Sequence, residues 1–61
     1  MQIYYVIKNK EGMFMRKYIR DFKAKDLCNA ELFRNRGAAV SANSAAKNVG
    51  IITKIEVNLV E

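Results

Sequence analysis

The sequence predicts a small α+β domain: one Ala-rich helix packed on an antiparallel sheet of three or four strands, in the order β-β-(β)-α-β. Three observations carry this. Residues 2–19 hold two runs rich in β-branched and aromatic side chains, separated by Asn9-Lys10-Glu11-Gly12. Residues 37–49 hold five alanines in thirteen positions, and residues 51–60 alternate apolar with polar side chains. A helix and a sheet each bury one face, and the two-layer stack is the stable way to do so. With 61 residues the chain reads as one domain spanning 1–61, able to bury only about 60% of its unfolded surface.

The first run, QIYYVIK over residues 2–8, suits a pleated, half-buried surface. Asn9 entering and Gly12 leaving form a turn in which positive φ is expected at the glycine. The second run, MFMRKYI over residues 13–19, then returns as the other arm of a hairpin. Residues 20–27 have no clean period. Asp26 is a candidate cap for a short helical turn through Leu27, Cys28, Asn29 and Ala30, after which the chain extends. In the alternative, Glu31-Leu32-Phe33 is a short third strand.

The segment 37–49 (GAAVSANSAAKNV) is the helix, because Ala is the strongest helix former. Ala39, Ala42, Ala46 and Val49 share one stripe, with Ala38 and Ala45 beside it. Asn35 is the expected N-cap and Gly50 the expected left-handed residue past the end. Small side chains on the buried stripe require close packing against the sheet. In the final strand, 51–60, the odd residues Ile51, Thr53, Ile55, Val57 and Leu59 are expected toward the helix. Lys54, Glu56 and Asn58 are then expected toward water.

The inventory excludes much chemistry. There is no His, no Pro, no Trp and a single Cys. Without His there is no imidazole base, and one Cys makes neither an intramolecular disulfide nor a Cys/His zinc cluster. Glu11, Asp21, Asp26, Glu31, Glu56 and Glu61 are scattered, with no close pair for acid–base or metal work. The expectation is a non-enzymatic binding module needing no cofactor and no metal. Cys28, with no activating neighbour in view, is expected as a small buried or half-buried side chain.

With 11 Lys and Arg against 6 Asp and Glu, the net charge is +5, which favours acidic partners. Two candidate sites follow. Arg34-Asn35-Arg36-Gly37 runs directly into the helix. Cations oppose the dipole there, so a bound phosphate or carboxylate beside the N–H groups of Gly37 and Ala38 would explain them. The competing explanation is that both reach into solvent or pair with Asp21, Asp26 or Glu31. The second candidate, a nucleic-acid surface, comprises Arg16, Lys17, Tyr18, Arg20, Lys23 and Lys25, where cations and aromatics interleave as in single-strand binders. The competing role for those aromatics is the core. Strand edges unprotected by proline suggest a homodimer, formed through an edge strand or an apolar patch that includes Tyr4 or Tyr5.

No run of 18 apolar residues exists to span a membrane, and residues 1–5 (MQIYY) lack the basic and apolar regions of a signal peptide. Three stretches carry a resemblance: YVIK at residues 5–8, opening a YVIKN-K-G-like hairpin, AELFRNRGAAV at 30–40 and IEVNLVE at 55–61. In these the chain resembles small, mostly uncharacterised accessory proteins of bacteriophages and prophages. The resemblance implies a cytoplasmic protein of the bacterial host cell that binds and modulates a host or phage protein. A small basic nucleic-acid-binding protein is the alternative. No site residue carries over from that class.

Overall fold

The structure, a computed structural model, describes residues 2–47 and 49–58. Strand β1 is Gln2–Lys8, helix α1 is Arg36–Ala45 and strand β2 is Ile51–Val57, with a 3-10 turn at Leu27–Asn29. β1 and β2 pair antiparallel, with Gln2 opposite Val57, Tyr4 opposite Ile55 and Lys8 opposite Ile51. The fold is therefore α+β, a helix on a two-stranded sheet. The three or four strands expected from the sequence are not all formed.

The missing strand is the run at 13–19. Its turn forms as anticipated. The Asn9 side chain accepts from the N–H of Glu11 (3.0 Å) and of Met13 (2.9 Å), and Gly12 has φ +86°. Beyond it the pairing shrinks to single bridges, Lys8 with Phe14, Phe14 with Ala24 and Arg16 with Ala30. Phe14 and Met15 lie in this paired stretch, and Met15 is buried. From Arg16 the chain turns back on itself, with positive φ at Tyr18 (68°) and Arg20 (58°), outside the β region that a regular strand needs. The 3-10 turn followed by an extended piece matches the expectation for 26–33. Asp26 makes no side-chain cap there, and Phe33 contributes one bridge, to Tyr5.

α1 begins as read, with the Asn35 side chain accepting from the Ala38 N–H at 2.8 Å. It ends earlier. Ala46 is the C-cap, and the left-handed residue is Lys47 (φ 64°), not Gly50. Ala39 and Ala42 are buried and Ala46 packs on the core, whereas Val49 lies outside the helix and is exposed. The core holds Ile7, Met15, Phe33, Ala39 and Ala42, flanked by Tyr5, Phe22, Ala46 and Ile52.

Gly50 has a different task. Asn43, buried on α1, donates from Nδ2 to the Gly50 carbonyl (2.9 Å) and accepts from the Gly50 N–H (3.0 Å). A β-carbon at Gly50 would collide with Ile7 Cγ2 and lie 2.9 Å from Phe22 Cζ. This pairing clamps the end of the helix onto the start of β2 with Gly50 turned toward the core. By alternation Ile52 shares that side. The expected orientation of β2 is therefore reversed: Ile52 packs on the core, while Ile51 is 61% exposed and Val57 38%. The sequence pattern was degenerate here, because two isoleucines in succession fit either face. The part of the expected strand at Leu59 and Val60 lies outside the described residues.

Candidate functional site

The residues between Arg16 and Glu31 form a braced turn. Arg16 donates from its guanidinium to both oxygens of Asp21, at 2.5 and 2.6 Å. Arg20 makes the same two-pronged contact with Glu31, at 3.0 and 3.2 Å. Backbone bonds close the loop inside these forks. The Arg16 N–H donates to Asp21 O (2.7 Å) and the Arg20 N–H to Arg16 O (2.9 Å). At the tip the Ile19 N–H donates to Lys17 O (2.8 Å), a three-residue turn centred on Tyr18. With positive φ at its centre this is the rare, strained form of that turn.

The forks are charge-assisted and geometrically specific, which suits them to hold a backbone that would otherwise relax. The hydrogen bond from Arg16, reinforced by its charge and opposed by partial desolvation, holds the Asp21 carboxyl below its ordinary pKa. The Asp21 hydrogen bond in turn raises Arg16. What the bracing presents is the tip itself: Tyr18 is 88% exposed and Ile19 65%. Lys17 Nζ lies 5.6 Å from the Tyr18 ring centroid, a cation–π contact at an open site.

Beside this turn lies an open depression of about 380 Å³ lined by Arg16, Lys23, Ala24, Lys25, Asp26 and Asn29. Of the six residues singled out as a nucleic-acid surface, Arg16, Lys23 and Lys25 meet at this depression. Lys17 and Tyr18 stand on the tip, and Arg20 is engaged with Glu31. Tyr18 contributes nothing to the core, while Phe33 belongs to it and Phe22 packs against it.

The arginines at the helix start are placed differently. Arg34 and Arg36 are exposed, and the ion pairs formed among the described residues are Arg16–Asp21 and Arg20–Glu31. Asp21 and Glu31 are thus already taken. The Ala38 N–H is bonded to the Asn35 side chain, so it is not open to an anion as the sequence suggested. Arg34, Asn35, Arg36 and Gly37 remain a cationic helix start with its cap satisfied from within.

Other expectations shift. Cys28 is exposed on the 3-10 turn, because that short turn buries none of its residues. The outer edge of β1 is occupied. Tyr5 exchanges two backbone bonds with Phe33, both 2.8 Å, and Ile7 O accepts from the Met15 N–H. An edge pairing through Tyr5 is thereby excluded. Tyr4 points to the opposite face of the sheet, next to Ile55. The clamp between Asn43 and Gly50 and the exposure of Ile19 had no signal in composition or spacing.

Among the described residues no group of three His, Cys, Asp or Glu side chains is arranged to hold a metal, and no helix is long and apolar enough to cross a membrane. In comparisons with known proteins, no family model, no curated protein and no solved structure matches the chain.

Proposed function

We propose that this chain is a non-enzymatic binding module that recognises a host or phage protein inside a bacterial cell through the turn at Lys17, Tyr18 and Ile19. One observation carries the reading: an aromatic and an aliphatic side chain, both largely exposed, stand on a strained turn held by two Arg–carboxylate forks. Strain of this kind costs on the order of 1–3 kcal/mol per residue and persists where the surroundings enforce it, characteristically at binding sites. Tyr is among the residues most enriched as interface anchors, and a rigid anchor loses little entropy on binding. The absent histidine and the dispersed carboxylates support binding rather than catalysis.

The test is capture from bacterial lysate by the immobilised chain. A Tyr18→Ala/Ile19→Ala double variant is expected to lose the captured protein while keeping its fold by circular dichroism. Undiminished capture by the variant removes the tip from the site.

A second reading has its own observation, the grouping of Lys23 and Lys25 around one depression beside Arg16, which is itself paired with Asp21. It makes the module a nucleic-acid binder whose affinity falls steeply with salt, by about one power of salt concentration per phosphate neutralised. No binding to random DNA or RNA at low salt disposes of it. In either reading the module is proposed to work as a homodimer through the free edge of the sheet.

A further inference from the structure

Resting on that homodimer, the backbone of β2 specifies how the two copies meet. On β1 the odd residues direct their main-chain groups away from β2, because Tyr5 bonds Phe33 and Ile7 bonds Met15. The even residues of β1 therefore bond β2, and their partners there are the odd ones, Ile51, Thr53, Ile55 and Val57. That leaves the N–H and C=O groups of Ile52, Lys54 and Glu56 pointing out of the open edge. No other strand or bridge covers that edge among the described residues.

We infer that β2 pairs antiparallel with β2 of a second copy about a two-fold axis at Ile55, so that Lys54 of each copy lies opposite Glu56 of the other. The outward groups fall on even residues, so even must meet even, and the two-fold registers are few. An axis at Lys54 sets Lys54 against Lys54, and an axis at Glu56 sets Glu56 against Glu56. An axis at Thr53 sets Lys54 against Ile52. The axis at Ile55 brings both opposite-charge pairs together, and directly opposed residues share a face, where unlike charges attract and like charges repel. In the same register Ile55 meets Ile55, and Thr53 meets Val57, on the face away from the helix. Val57, 38% exposed in one copy, thereby gains a neighbour.

The geometry admits the helices as well. With strands about 4.8 Å apart, the midlines of the two β1–β2 pairs are separated by about 10 Å, the spacing of packed helices. The result is a continuous four-stranded sheet, β1-β2-β2-β1, with both helices on one face.

Sedimentation at high micromolar concentration tests this. The wild-type chain is expected to be a dimer. Lys54→Glu alone turns both cross-strand pairs into like-charge pairs, as does Glu56→Lys alone, and each is expected to weaken the dimer about tenfold or more. Mixing the two single variants restores both unlike pairs, so the mixture is expected to dimerise again. This also proves that each variant is folded. Amide exchange supplies a second readout: the Lys54 and Glu56 N–H groups gain protection on dimerisation, whereas those of Thr53 and Ile55 are protected in both states. A wild-type monomer overturns the inference together with the homodimer. A dimer that survives in both single variants keeps the homodimer and overturns this register, as does a mixture that stays monomeric.

Discussion

The two halves of this molecule are held by different kinds of force. Where β1, α1 and β2 meet, backbone ladders run for seven residues and buried alanines let the helix lie close. An amide clamp of two hydrogen bonds fixes the crossing there. Between Phe14 and Phe33 the regular structure is one 3-10 turn and a few isolated bridges; Met15, Ala24, Ala30 and Phe33 are anchored there by burial, and two Arg–carboxylate forks hold the exposed turn that starts at Arg16. Burial of small apolar groups has no titrating group in it, whereas partly exposed ion pairs are sensitive to pH and are screened by salt. The first half is thus a frame. The second is a display, shaped by side chains and carrying the exposed Tyr18 and Ile19.

The sharpest way to break that contrast is at the clamp. Gly50→Ala places a methyl group against Ile7, Phe22 and the Asn43 amide at once. Overpacking at a closed site costs about 1–3 kcal/mol, and the loss is expected in urea denaturation of the whole domain. A variant as stable as the wild type shows that the helix end can shift and that the frame is not rigid at the clamp.

A smaller, local effect is expected at the forks. Arg16 lowers the pKa of Asp21 in the folded chain, so the pair adds stability above the unfolded Asp value of about 4. That contribution is lost as pH falls through the still lower folded value. Asp21→Asn removes it at all pH values. The stability gap between wild type and Asp21→Asn should therefore be present at neutral pH and close in strong acid, with faster amide exchange confined to residues 16–21. A gap that persists at the acid end assigns Asp21 a role other than its charge.

Legibility in the sequence divides along the same line. β1, the Asn9–Gly12 turn, the Asn35 cap and the buried Ala39 and Ala42 were readable because local preference and tertiary packing agree there. The run at 13–19 was not. Strand preference measures fit to a half-buried surface, and beyond Phe14 and Met15 that surface is absent. The forks join residues five and eleven apart with no periodic signature, and Gly50 answers to Ile7, forty-three positions earlier. Of the candidate surface, the cations at 16, 23 and 25 were visible as a run. That Tyr18 stands outside the core was visible only once the turn was seen.

Tyr18 serves display and not the frame, and equilibrium denaturation of Tyr18→Gly separates the two roles. Holding a non-glycine residue in a left-handed conformation costs about 1–2 kcal/mol, and glycine returns about 0.5–1 of that through its freer unfolded chain. The variant is expected to be more stable than the wild type by about 0.5–1 kcal/mol. A Tyr18→Gly variant that is less stable than the wild type contradicts it, and returns the tyrosine to the structure.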